Sequence, residues 1–116
     1  MIPGETRKPL SELRRGVVEF CVLALVRERD GYAFDLVRVL SSRGLLAGEG
    51  TIYPLLARLR RDGLVETTWR ESDAGPPRRY YRATDRGRRA LDGFVADWTA
   101  FRDAVDRLIT SPGGGT

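Results

Sequence analysis

The run Glu49-Gly50-Thr51-Ile52-Tyr53-Pro54-Leu55-Leu56-Ala57-Arg58-Leu59-Arg60-Arg61-Asp62-Gly63-Leu64-Val65 sets the architecture of this 116-residue chain. Ile52, Leu55, Leu56 and Leu59 recur at steps of three and four, which puts them on one face of a helix. Pro54 falls in the first turn, where a missing amide hydrogen costs little. Gly63 is suited to the left-handed residue that stops a helix. The spacing predicts a short amphipathic helix over about Gly50 to Asp62, followed at once by a strand.

Downstream, Leu64 to Trp69 and Arg79 to Thr84 are rich in β-formers. Between them lies Arg70-Glu71-Ser72-Asp73-Ala74-Gly75-Pro76-Pro77-Arg78, polar and turn-rich. The expectation is a hairpin with a long basic tip. Tyr80 and Tyr81 point to opposite faces of their strand, so one of them packs inward. Thr84 can cap a last helix running to about Ile109. Along it Leu91, Phe94, Trp98, Phe101, Val105 and Leu108 alternate at three and four, the pattern of a coiled-coil seam.

Upstream, Tyr32 to about Ser42 reads as a helix with Leu36, Val37, Val39 and Leu40 inward. Ser11 to about Glu28 reads as another, with Ser11 as its cap and Asp30-Gly31 as the turn that follows. From Val17 to Val26 it is apolar nearly all round, interrupted by Glu19, so it is buried on several sides. Residues 1–10, with Pro3, Gly4 and Pro9, are expected to form a flexible arm. The Gly-rich tail 111–116 is expected to be disordered. The unit between them is mainly α with a small β-hairpin: a domain over 11–84 and a long helix over 85–110.

Charge narrows the function. The net charge is +4, and residues 58–89 alone hold ten Arg against five acidic residues. That local excess suits a polyanion, although a plain solvated surface would also carry it. At 41% hydrophobic and 31% charged, the composition is that of a globular domain. The chain has no His, which removes His-dependent triads and most zinc sites. Cys21 stands alone and cannot close an intrachain disulfide. There is no nucleophile–base pair and no Gly-rich phosphate loop before a helix, so neither an enzyme nor a cofactor is expected. The longest apolar stretch, Phe20 to Val26, is too short to span a bilayer, and a cytoplasmic location with no membrane partner is expected.

Three helices followed by a two-stranded hairpin is the order of a winged helix-turn-helix domain, whose third helix enters the major groove of double-stranded DNA. Here the motif from Glu49 to Val65 resembles the recognition-helix segment of the PadR family of transcriptional regulators. The segment Gly75-Pro76-Pro77-Arg78-Arg79-Tyr80-Tyr81-Arg82-Ala83-Thr84-Asp85-Arg86-Gly87 is similar to that family's wing and the start of its last helix. Leu13-Arg14-Arg15-Gly16 and Gly31-Tyr32 fit as well. The resemblance spans about residues 10–110 and points to the short-tailed subgroup, with a single C-terminal dimerisation helix.

The resemblance implies that Thr51, Tyr53 and Pro54 meet DNA, with Tyr53 on a phosphate, and that Arg78 and Arg79 belong to a basic wing tip. Arg58, near the end of the same helix, is a further candidate phosphate contact. Leu91, Phe94, Trp98, Phe101, Val105 and Leu108 are implied to form a homodimer seam. Trp98 matches a tryptophan that lines a pore at the dimer interface of some members and stacks on planar aromatic effectors. Glu19, Leu23, Val26 and Arg102 are the residues expected to complete such an effector pocket. Each assignment has an alternative in packing or solvation: Tyr53 as a core side chain, Arg58, Arg60 and Arg61 as solvated charges, the seam as a contact with its own domain. The function expected is a repressor that binds a pseudo-palindromic operator as a homodimer. The rival is a winged-helix module that docks an acidic protein.

Overall fold

The computed structural model describes residues 3–46 and 49–110, with side chains from residue 13 onward except at residue 49. The chain runs α1 (Pro3–Glu28), α2 (Ala33–Ser42), a 3-10 turn (Glu49–Thr51), α3 (Ile52–Arg61), β1 (Val65–Ser72), β2 (Gly75–Ala83) and α4 (Asp85–Thr110). This is a mainly helical winged helix-turn-helix arrangement with a long C-terminal helix.

The interior is one cluster. It takes Val18, Val22, Leu23 and Val26 from α1, Leu36 and Leu40 from α2, and Ile52, Leu55, Leu56 and Leu59 from α3. Val65, Tyr81, Ala83 and Leu91 close it from the hairpin and the first turns of α4. Leu23, Leu40, Ile52, Leu56 and Leu59 are almost fully excluded from solvent. Each such side chain contributes roughly 1.5–3 kcal/mol of burial free energy. The apolar face read from residues 52–59 is therefore the face that α3 buries, and Tyr81 is the inward member of the tyrosine pair.

Two local devices fix the geometry after α3. Gly63 takes φ 76°, which lets Leu64 N reach back to Leu59 O at 2.9 Å and Gly63 N to Arg60 O at 3.1 Å. A residue with a Cβ is strained there, so glycine is what stops this helix. Thr84 then caps α4: its hydroxyl accepts from Gly87 N at 3.0 Å and donates to Gly63 O at 2.6 Å. One side chain thus joins the end of α3 to the start of α4.

The structure corrects three expectations about element limits. Helix α1 begins at Pro3, so residues 3–10 are helical instead of an irregular arm, and Ser11 lies inside the helix and does not cap it. Pro3 suits a first turn that has no use for its amide hydrogen, and Pro9 follows within the next two turns. The tail 111–116 and residues 1–2 lie outside the described residues. The hairpin has no long loop: Ser72 pairs with Gly75, so Asp73 and Ala74 alone form the turn. Pro76 and Pro77, read as loop residues, sit in extended backbone beside an irregularity between Arg70 and Ser72. Proline's fixed φ is compatible with a strand wherever its nitrogen is not needed for the ladder.

Candidate nucleic-acid interface

The 3-10 turn and helix α3 together present two opposite faces. Ile52, Leu55, Leu56 and Leu59 are buried, while Thr51, Tyr53, Pro54, Ala57, Arg60 and Arg61 are exposed. The exposed residues follow the same three-and-four spacing half a turn round, which makes one continuous outward stripe. Tyr53 is 59% exposed, so it is no core tyrosine. Ala57 adds a small gap in mid-stripe, and Arg60 and Arg61 give its far end a double positive charge. Arg58 is not part of the stripe. It is half-buried, and its Nη2 donates to Glu19 Oε2 of α1 at 2.8 Å.

The wing differs from its expected form. Arg78 and Arg79 lie within β2, and the turn itself carries Asp73, with Glu71 close by. The tip is therefore acidic, and the positive charge sits on the arms. One face of the ladder starts with Val65 opposite Ala83 and Thr67 opposite Tyr81, then continues beyond the core with Trp69 opposite Arg79. There the Arg79 guanidinium lies over the Trp69 ring, 5.0 Å from its centroid, and Trp69 is 62% exposed.

On the other face, Arg70 lies over Tyr80 at 4.6 Å and Arg78 over Tyr32 at 4.7 Å. Tyr32 reaches this face because Gly31 bridges to Tyr81, with N–O distances of 3.0 and 2.7 Å in the two directions. The same bridge sets Asp30 beside the wing, where its Oδ2 accepts from Arg82 at 3.0 Å and also from Arg70. Asp30 thus offsets one of the two positive charges of Arg70 and Arg82, while Arg78 and Arg79 keep theirs against aromatic faces. Cation–π contact orients a guanidinium without cancelling its charge. The sequence reading missed Asp30, Tyr32 and Trp69 as wing partners. Tyr32 and Asp30, two residues apart on either side of a glycine, were the available signal of a short extended segment.

The seam of α4 divides in two. Leu91 is buried in the core of its own domain, and Phe94 stacks face to face on Phe20 of α1, with ring centroids 4.0 Å apart. Trp98 stacks on Phe94 at 5.9 Å and meets Phe101 at 6.5 Å. Past that point the strip is exposed: Phe101 at 60% and Leu108 at 83%, with Ile109 beside them. Val105 is half-buried.

The residues expected to form an effector pocket are not brought together. Leu23 and Val26 are sealed in the core and have no surface for a ligand. Glu19 turns toward α3, and Arg102 pairs with its neighbour Asp103 at 3.2 Å. The reason lies in the helix period: in α1, Leu23 and Val26 share the inward face with Val22. Trp98 alone retains a suitable position. Burial pushes the Cys21 thiol above its usual pKa, so it is a poor nucleophile. Among the described residues no group of three or more His, Cys, Asp or Glu could hold a metal ion, and no helix is long and apolar enough to cross a membrane.

Comparison with known proteins agrees with this layout. The profile described as the transcriptional regulator PadR-like family matches residues 22–93. The chain is 35% identical over 106 residues to the transcriptional regulator Rv3488 of Mycobacterium tuberculosis, covering 91% of this chain and 92% of that protein. Among solved structures it is similar to a PadR family transcriptional regulator from Eggerthella lenta, with TM-score 0.79, 35% identity, and coverage of 93% of this chain and 95% of that one. A PadR-like transcriptional regulator from Bacillus cereus gives TM-score 0.78 at 34% identity, covering 84% of this chain and 96% of that one. With its outward helix stripe, its wing and its long last helix, the chain belongs to the PadR-like family of transcriptional regulators, which are DNA-binding proteins and not enzymes.

Proposed function

We propose that the protein is a cytoplasmic repressor that binds a pseudo-palindromic operator as a homodimer. The observation that carries this reading is the stripe Thr51, Tyr53, Pro54, Ala57, Arg60 and Arg61, exposed on a helix whose other face is wholly buried. A major groove admits one such helix. Tyr53 and the two terminal arginines take phosphates, and the residues around Gly50 and Thr51 read base edges. Arg78 and Arg79 reach the flanking backbone from the wing arms. Phosphate contacts dominate affinity, so binding falls steeply with salt.

The dimer is supported by the apolar C-terminal half of α4, which has no partner in its own domain among the described residues. A regulator of this kind blocks transcription by occupying the promoter. Release by a planar aromatic effector narrows to Trp98, since Glu19, Leu23, Val26 and Arg102 are committed elsewhere.

Selection of bound sequences from a random duplex pool tests the reading. The expected product is a two-fold symmetric site, whose two halves lie about one helical turn apart. A single unrepeated half-site, or no enrichment in dilute salt, would reject it. A Tyr53→Ala variant should bind every duplex more weakly while keeping its unfolding midpoint.

A further inference from the structure

A groove of about 440 Å3 lies between the middle of α1, the residues after α2 and the first two turns of α3. Its volume falls in the range of about 300–1,000 Å3 that holds small organic ligands. Its apolar surface comes from Val18, Leu46 and Leu55, and its charge from Arg14, Arg15 and Arg58. Among the described residues no carboxylate lines it. Arg58 is already engaged by Glu19, whereas Arg14 and Arg15 have no ion-pair partner among the described residues. Two uncompensated guanidinium groups beside an apolar cleft select for one kind of occupant: a molecule with an anionic head and an apolar body.

We propose that this groove is an effector site for a small amphipathic organic anion, a carboxylate held by Arg14 and Arg15 with its apolar part against Val18, Leu46 and Leu55. It is a different place from the Trp98 region of α4. Thr51 and Pro54 form part of the same wall. Given the reading of α3 as the DNA-contacting helix, on which this step rests, an occupied groove and a bound operator compete for that end of α3. The ligand therefore lowers DNA affinity, as linkage requires when it binds the DNA-free form more tightly.

The test is calorimetric titration of the full chain with octanoate and 2-naphthoate, each beside its neutral amide. Saturable binding of a carboxylate at least about tenfold tighter than its amide is expected; tenfold is about 1.4 kcal/mol. That preference should vanish in Arg14→Gln/Arg15→Gln and persist in Trp98→Ala. Leu46→Trp, which fills the groove, should abolish binding of both forms. Circular dichroism and sedimentation establish that each variant keeps its fold and assembly state. No saturable binding of either carboxylate to the wild type overturns the proposal. So does binding that survives Arg14→Gln/Arg15→Gln but is lost in Trp98→Ala, or a change of assembly state in the arginine variant. In a gel shift the bound carboxylate should weaken operator binding; an unchanged shift overturns the competition step. A protein that binds octanoate but no duplex at all would instead reject the DNA-binding reading and leave the groove standing.

Discussion

Arg58 Nη2 lies 2.8 Å from Glu19 Oε2, which ties α3 to the middle of α1 across 39 residues of sequence. Glu19 is the one carboxylate in the apolar run Val17 to Val26, and this contact is where its charge is used. The pair is only partly shielded, with Arg58 at 42% and Glu19 at 26% side-chain exposure. Such a pair contributes under about 1 kcal/mol, so its main effect is to fix where the Arg58 guanidinium points. Glu19→Gln should leave the fold intact and release Arg58 toward DNA. The expected result is tighter binding and a salt dependence steeper by about one phosphate contact. Fluorescence anisotropy against salt concentration reads both, and an unaltered slope would mean that Arg58 does not reach phosphate.

Gly87 is required by contact, not by conformation. A Cβ there would stand 2.0 Å from Leu64 O and 3.4 Å from Leu23 Cδ2. Leu64 O cannot retreat freely, because it accepts the Thr84 amide hydrogen at 3.1 Å. Gly87→Ala should therefore push α4 off the hairpin and cost about 2 kcal/mol or more. Gly93, in the same helix, has nothing within 4 Å of an added Cβ. Gly93→Ala should stabilise the protein by about 1 kcal/mol through helix propensity. Urea midpoints of the two variants should thus move in opposite directions.

Where a feature was local, the residues announced it. The period of Ile52, Leu55, Leu56 and Leu59 identifies the buried face of α3, and by complement its exposed stripe. Gly63 and Thr84 mark a stop and a start through their own backbone and hydroxyl chemistry. Features that depend on distant partners were hidden. Asp30 has the look of a turn residue, and only the bridge of Gly31 to Tyr81 brings it to Arg70 and Arg82. Gly75-Pro76-Pro77 reads as a loop because proline and glycine are common there, yet the ladder continues past Arg78 to Ser72 and Gly75. Leu23 and Val26 are expected to complete a pocket beside Trp98, on a helix that is apolar over a wide arc. Breadth alone does not say which side the core takes.

The wing arginines fall into two classes that should separate in binding experiments. Arg70 and Arg82 share Asp30, whereas Arg78 and Arg79 rest on Tyr32 and Trp69 with their charge intact. Arg78→Ala with Arg79→Ala should lower the slope of log affinity against log salt by about two contacts. Arg70→Ala with Arg82→Ala should lower it by about one contact at most, since Asp30 offsets one of the two charges. Equal losses in both pairs would mean that Asp30 lets go of its partners on DNA.

Phe101 and Leu108 are seven residues apart on α4 and exposed on the same strip. Two such side chains left in water forfeit burial free energy that a second α4 can restore at heptad spacing. They contribute nothing to the core, so a charge placed there tests assembly without testing the fold. Phe101→Glu with Leu108→Glu should sediment as a monomer while keeping the helical signal and the unfolding cooperativity of the domain. Losing the second half-site removes the gain from linked binding, so operator affinity should fall by about 100-fold or more, whereas affinity for an isolated half-site should hardly change. If wild type and variant both sediment as dimers, the protomers meet on some other surface; if the wild type sediments as a monomer, the dimer reading itself fails.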